Sequence, residues 1–185
     1  SWTGSPLCHK FMEEKGMKDT HELSEYFLEN ITEMLSKKGV KTSGWQEVAL
    51  HHSPEMNARI APRFAGVYCW STIGKRDVVP YTVANEGYDV ILCNVNNLYI
   101  DLAYNPHKDE PGLTWGGYVN EFTSFNILPY NIYCSARENT AGEKNNLKTA
   151  GKGKIQLPEQ SRPHIKGVQA QLFSETIGSF DMVQY

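Results

Sequence analysis

The sequence predicts an α/β fold built on parallel strands, and three observations carry that prediction. Helical and extended segments alternate along the first half of the chain. The first three extended segments begin about 23–25 residues apart, enough for a strand, a crossover helix and the next strand. Val90-Ile91-Leu92-Cys93 is a continuous apolar run, the pattern of a strand covered on both faces.

Each element has a local reason. Ser5-Pro6 supplies an N-cap and a proline at the first helical position, and Gly16 a stop, so Pro6–Lys15 reads as a short helix. Asp19 and Glu22 stand at capping-box spacing. Leu23, Tyr26, Phe27, Ile31, Met34 and Leu35 then recur with helical period, and Lys37, Lys38 and Gly39 complete the C-terminal signal, predicting a helix over 20–38. Strands are expected at 40–45, 65–71 and 88–94. Ser53-Pro54 starts a short helix between the first two. A helix over 77–86, with Pro80 in its first turn and Gly87 ending it, joins the second to the third. After a gap of about 70 residues, Gly167 opens a fourth expected strand at 168–174. The first part of the gap is aromatic-rich. Residues 137–154, rich in Asn, Lys, Gly and Thr, read as a mobile surface loop.

Composition excludes several classes. Eighteen Lys+Arg against 21 Asp+Glu give a formal charge of −3, without the clustered positive charge that nucleic acid binding requires. No apolar run approaches the roughly 20 residues of a membrane span. The chain opens at Ser1 with no basic-then-apolar leader, which reads as a processed or excised piece. Cys8, Cys69, Cys93 and Cys134 form no CxxC pair. Cys69 and Cys93 fall in apolar strands, where free thiols act as small hydrophobes, so the redox compartment stays open. His51-His52 reads as solvated loop, and no metal site or cofactor is expected.

Aromatic and polar residues collect at the C-terminal ends of the expected strands. They are Trp45-Gln46-Glu47, Trp70-Ser71-Thr72, Asn94 followed by Tyr99 and Asp101, and Phe173-Ser174-Glu175. Ligand sites of α/β folds lie at those ends. Aromatic faces stack on pyranose C–H faces and carboxylates accept from hydroxyls, so this is a sugar-site composition. Taken singly, the two tryptophans could equally plug a barrel end, Tyr99 and Asp101 could be turn residues, and Glu175 could cap a helix.

In order, Gly44-Trp45-Gln46-Glu47-Val48, Tyr68-Cys69-Trp70, Leu98-Tyr99-Ile100-Asp101, Trp115-Gly116-Gly117 and the run from Gly167 to Glu175 resemble family 20 glycoside hydrolases. These are the β-N-acetylhexosaminidases, with the bacterial chitobiase type most similar. Gly4-Ser5-Pro6-Leu7-Cys8 resembles the segment that follows the family's catalytic motif. The resemblance implies part of a (β/α)8 TIM barrel, its C-terminal half with about strands five to eight and a long insertion before the last. It also implies retaining hydrolysis assisted by the substrate's own acetamido group, outside the usual two-carboxylate scheme. By the same resemblance, Trp45 and Trp70 wall the acetamido pocket and Tyr99 hydrogen-bonds the acetamido oxygen. Asp101 and Glu175 bind sugar hydroxyls, and Trp115 stacks near the leaving sugar. Phe173 stands where the family usually has Trp, keeping an apolar face but losing the indole N–H. The family's Asp-Glu acid pair has no counterpart in context, since Asp109-Glu110 falls in the long gap. The chain alone is therefore expected to be inactive. The resemblance further implies a glycan substrate with terminal N-acetylhexosamine and an extracytoplasmic location. The competing readings are a non-catalytic sugar-binding module and a self-contained enzyme using Asp101 with Glu175. A half-barrel would also expose two sheet edges and the inward faces expected of Val67, Val90, Ile91 and Leu172, inviting self-association.

Overall fold

A computed structural model describes residues 1–136 and 144–184. It contains a four-stranded sheet, all pairs parallel, in the order β1 (Thr42–Trp45), β2 (Phe64–Cys69), β3 (Val90–Leu92), β4 (Ile165–Val168). Helices α1 (Pro6–Lys15) and α2 (Thr20–Ser36) precede β1. α3 (Pro54–Ile60) lies between β1 and β2, and α4 (Val79–Asn85) between β2 and β3. Short helices α5 (Val95–Leu98) and α6 (Glu121–Phe125) follow β3, and α7 (Phe180–Gln184) ends the described chain.

The local signals act at the helix ends. Ser5 Oγ accepts from the Cys8 N–H, and Gly16 closes α1 in the left-handed region at φ 66°. Asp19 accepts from the N–H groups of His21 and Glu22, which holds its carboxyl below the usual range. The expected capping box is not closed. Glu22 Oε2 instead accepts from the Lys18 N–H at 3.0 Å, one residue before the cap. α2 stops at Ser36, two residues early, because Gly39 at φ 72° turns the chain so that the Val40 N–H reaches back to Leu35 O. Its expected apolar face divides. Leu23 is buried, whereas Tyr26, Phe27 and Met34 are exposed. Tyr26 and Phe27 meet Phe11 and Trp2 at 5.5 and 5.9 Å, so they pack toward the N-terminal segment and not the sheet.

The main core lies between the sheet and helices α3 and α4. Met56, Ile60, Phe64, Val67, Val83, Tyr88, Val90 and Leu92 are all buried there. This corrects the expected strand facing. Val67, Val90 and Ile165 are paired neighbours on the helix-covered side, whereas Tyr68, Ile91 and Gly167 form the row on the other face. Both rows are apolar, so alternation in the sequence could not tell them apart. Leu172 belongs to no strand and is exposed.

The fourth strand is the second correction. It spans Ile165–Val168, ending where it was expected to begin. β3 offers only three ladder positions, which pair with Ile165, Gly167 and Val168. Beyond them the chain follows the segment after α5. The Gln171 N–H donates to Leu98 O and the Ile100 N–H to Gln171 O, both at 2.8 Å. Residues 137–143 of the expected loop lie outside the described residues. In its described remainder, Lys154 pairs with Asp77 and sits over the Tyr133 ring, and the Tyr133 hydroxyl donates to Ile155 O at 2.5 Å.

Candidate active site

The strand ends are tied together before any ligand is considered. Gln46, just past β1 and almost wholly buried, accepts through Oε1 from the N–H groups of Trp70 and Ser71, each at 3.0 Å. Glu47 Oε1 accepts from Trp70 Nε1 at 3.2 Å. The Val95 N–H donates to Trp70 O, anchoring α5 to the end of β2. These bonds fix the Trp70 ring, which meets Tyr99 at 6.4 Å and Trp115 at 6.2 Å between centroids. Tyr99 in turn meets Trp115 edge-on at 5.8 Å and Phe173 at 5.4 Å. Trp45 packs on Tyr68 at 5.8 Å. Gly116 lets this cluster close, since a Cβ there would stand 2.7 Å from Val95 Cγ2 and 2.9 Å from Leu102 Cδ1.

The result is one open cavity of about 420 Å³ lined by Trp45, Glu47, Trp70, Tyr99, Asp101, Leu113, Trp115, Phe173 and Glu175. All seven residues to which the resemblance gives a role lie in it. Glu47 and Leu113 were not among them. Glu47 stood beside Trp45 in the motif, but only the contact with Trp70 shows that it belongs to the wall. Leu113 is placed by bonds across the loop, its N–H donating to Asp101 O and its carbonyl accepting from the Ala103 N–H. No local signal marks it.

The electrostatics follow from burial. Tyr99 is buried, and desolvation, aided by Cys93, Asp101 and Glu47, pushes its hydroxyl up to about 12, so it remains a proton donor at neutral pH. Asp101 is raised from the ordinary carboxylate value, first by burial and then by the Glu175 charge. Its Oδ1 has no hydrogen-bond partner among the described residues. A buried acceptor beside aromatic faces suits a ligand hydroxyl. Asp109-Glu110 does not line this cavity. Asp109 pairs with Lys108, and Glu110 accepts from Asn105 Nδ2. A larger cavity, about 710 Å³, shares Asp101 but is walled largely by aliphatic residues such as Ile100, Leu172, Ile177 and Val183, without the aromatic convergence. Cys69 and Cys93 are free buried thiols, both raised by burial.

The family described as Glycosyl hydrolase family 20, catalytic domain, matches residues 1–185. A beta-hexosaminidase of Vibrio vulnificus is 28% identical over 191 residues, covering 100% of this chain and 21% of the relative. Beta-hexosaminidase B of Pseudoalteromonas piscicida is 27% identical, covering 100% of this chain and 23% of its own length. The solved GH20 exo β-N-acetylglucosaminidase of Vibrio harveyi in complex with N-acetylglucosamine matches 100% of this chain and 24% of that chain, with a TM-score of 0.68 at 24% identity. The chain thus spans about a fifth to a quarter of the relatives it matches, and its four parallel strands correspond to a portion of that barrel. The chain belongs to glycosyl hydrolase family 20, as part of its catalytic domain.

Proposed function

We propose that this chain is the sugar-holding part of a β-N-acetylhexosaminidase, carrying strands five to eight of its barrel. The parent enzyme releases terminal, non-reducing β-linked N-acetylhexosamine with retention. The substrate's 2-acetamido oxygen attacks the anomeric carbon, the bond to the leaving oxygen breaks, and that oxygen takes a proton from an acid outside this chain. Water then opens the oxazolinium intermediate. In this scheme Trp45 and Trp70 enclose the acetamido methyl and the Tyr99 hydroxyl donates to the acetamido oxygen. Asp101 and Glu175 accept from ring hydroxyls, while Trp115 and Phe173 pack on the sugars.

The observation that supports this reading is the convergence of all seven residues, from separate segments of the chain, on one cavity of 420 Å³. The family's Asp-Glu acid pair has no counterpart in context within this chain, which keeps a non-catalytic sugar-binding module as the second reading. Assay of the chain and of its full-length parent on a nitrophenyl β-N-acetylglucosaminide separates them. The parent is expected to turn over. The chain alone should be slower by at least the roughly 10²–10⁴-fold that general acid help contributes. An inert parent would support the binding module, and a fully active chain would refute the division of labour.

A further inference from the structure

We propose that His21, Glu25 and His52, none of which lines the aromatic cavity, form a binding site for a zinc-class divalent cation. The first two residues stand at i and i+4 on α2, so they share one helix face. His52 comes from the loop that enters α3. His52 Nδ1 lies 2.9 Å from Glu25 Oε1, and His21 Nε2 lies 3.5 Å from the same oxygen. One potential ligand atom from each residue falls within 4.8 Å of the others, and no other such group of three occurs among the described residues. Tetrahedral zinc with bonds of about 2.0–2.1 Å needs ligand atoms about 3.3 Å apart. The two Glu25 separations bracket that value.

The surroundings support coordination. The His52 side chain is only 5% exposed, and its Nε2 lies 3.1 Å from Val48 O. In the tautomer that carries its proton on Nε2, that carbonyl accepts from Nε2–H and the Nδ1 lone pair faces Glu25, which is the outer-sphere arrangement that orients a metal-binding imidazole. His51, the one non-glycine residue with positive φ among those described, at 68°, brings its carbonyl to 3.1 Å from His21 Nε2. The carbonyl is a fourth candidate ligand beside the same nitrogen. His21 is 48% exposed and gives the ion a path from solvent. Two imidazoles, a carboxylate and an oxygen donor suit Zn²⁺ better than Ca²⁺ or Mg²⁺. The adjacent histidines therefore do not form a bare solvated loop. His52 has its carboxylate partner 27 residues earlier in the chain. A bound cation would clamp α2 to the loop between β1 and α3.

The test is calorimetric titration of ZnCl₂ into the chelator-stripped 185-residue chain at neutral pH, with His21→Gln and Glu25→Gln beside it. The expected result is one saturable site, a rise in melting temperature with zinc, and affinity weakened roughly tenfold or more in each variant, at least the effect of losing an outer-sphere partner. His21 is exposed, so His21→Gln should leave the metal-free melting curve unchanged, and weaker binding then reports ligation. No saturable uptake, or uptake that both variants leave intact, overturns the proposal. A cluster that responds to pH but not to zinc does so as well, since the imidazoles would then be holding Glu25 with protons alone.

Discussion

Replacing Tyr99 with Phe in the full-length parent removes one hydroxyl and little else. The ring is held by Trp70, Trp115 and Phe173, all contacts that Phe retains. The hydroxyl has no hydrogen-bond partner among the described residues, so no intrachain bond is lost and stability should move by no more than about 0.5 kcal/mol. In the proposed reaction the same hydroxyl donates to an oxygen that gains charge as it attacks. Hydrogen bonds to charged groups contribute roughly 1.5–3 kcal/mol, which corresponds to about a ten- to hundredfold loss. Because the bond strengthens toward the transition state, the loss should fall on kcat more than on KM. Burial keeps the hydroxyl protonated up to about pH 12, so the ratio of wild-type to variant turnover should be flat across the assay range. Steady-state kinetics on a chromogenic N-acetylglucosaminide, with melting curves alongside, measure this. Unchanged kcat with an unchanged melting curve would refute the assigned role.

Asp101→Ala and Glu175→Ala in the parent should each weaken sugar binding about ten- to a hundredfold, the value of a charge-assisted bond to a hydroxyl. A covalent glycosyl adduct on either residue, seen by mass spectrometry, would overturn the substrate-assisted scheme. The raised Asp101 carboxyl gives a pH signature. From the ordinary value of 3.8 up to its raised value, the folded protein holds a proton that the unfolded chain releases, so stability falls as pH rises through that window. Asp101→Asn should flatten this fall in a series of melting curves, and an identical profile would mean that Asp101 is not desolvated. The isolated chain should self-associate, because β1 and β4 each have one neighbour among the described residues and helices α3 and α4 pack on the Val67–Val90 face of the sheet, leaving the Tyr68–Ile91 row on the other face only half-buried. A light-scattering mass that stays near 20.9 kDa on concentration would contradict this.

The sequence alone determined whatever depends on near neighbours. Ser5, Pro6 and Gly16 set both ends of α1, and Asp19 set the start of α2, because a cap acts within three or four residues. The alternation of helix and strand announced the parallel sheet. The seven residues that line the cavity could be picked out because ligand sites lie at strand ends in such folds and because their motifs resemble a known family. Tertiary structure decided the rest. Val67 and Tyr68 are both uncharged residues in a largely apolar strand, and only the helices packed above the sheet choose between them. The fourth strand took its limits from β3, since a ladder extends only as far as its partner does. Glu47, Leu113 and the pairing of His52 with Glu25 depend on contacts across loops or across many residues. Local propensity records the conformation of a segment. Burial, facing and partnership are set by whatever the chain brings against it, and a single sequence holds no direct trace of that.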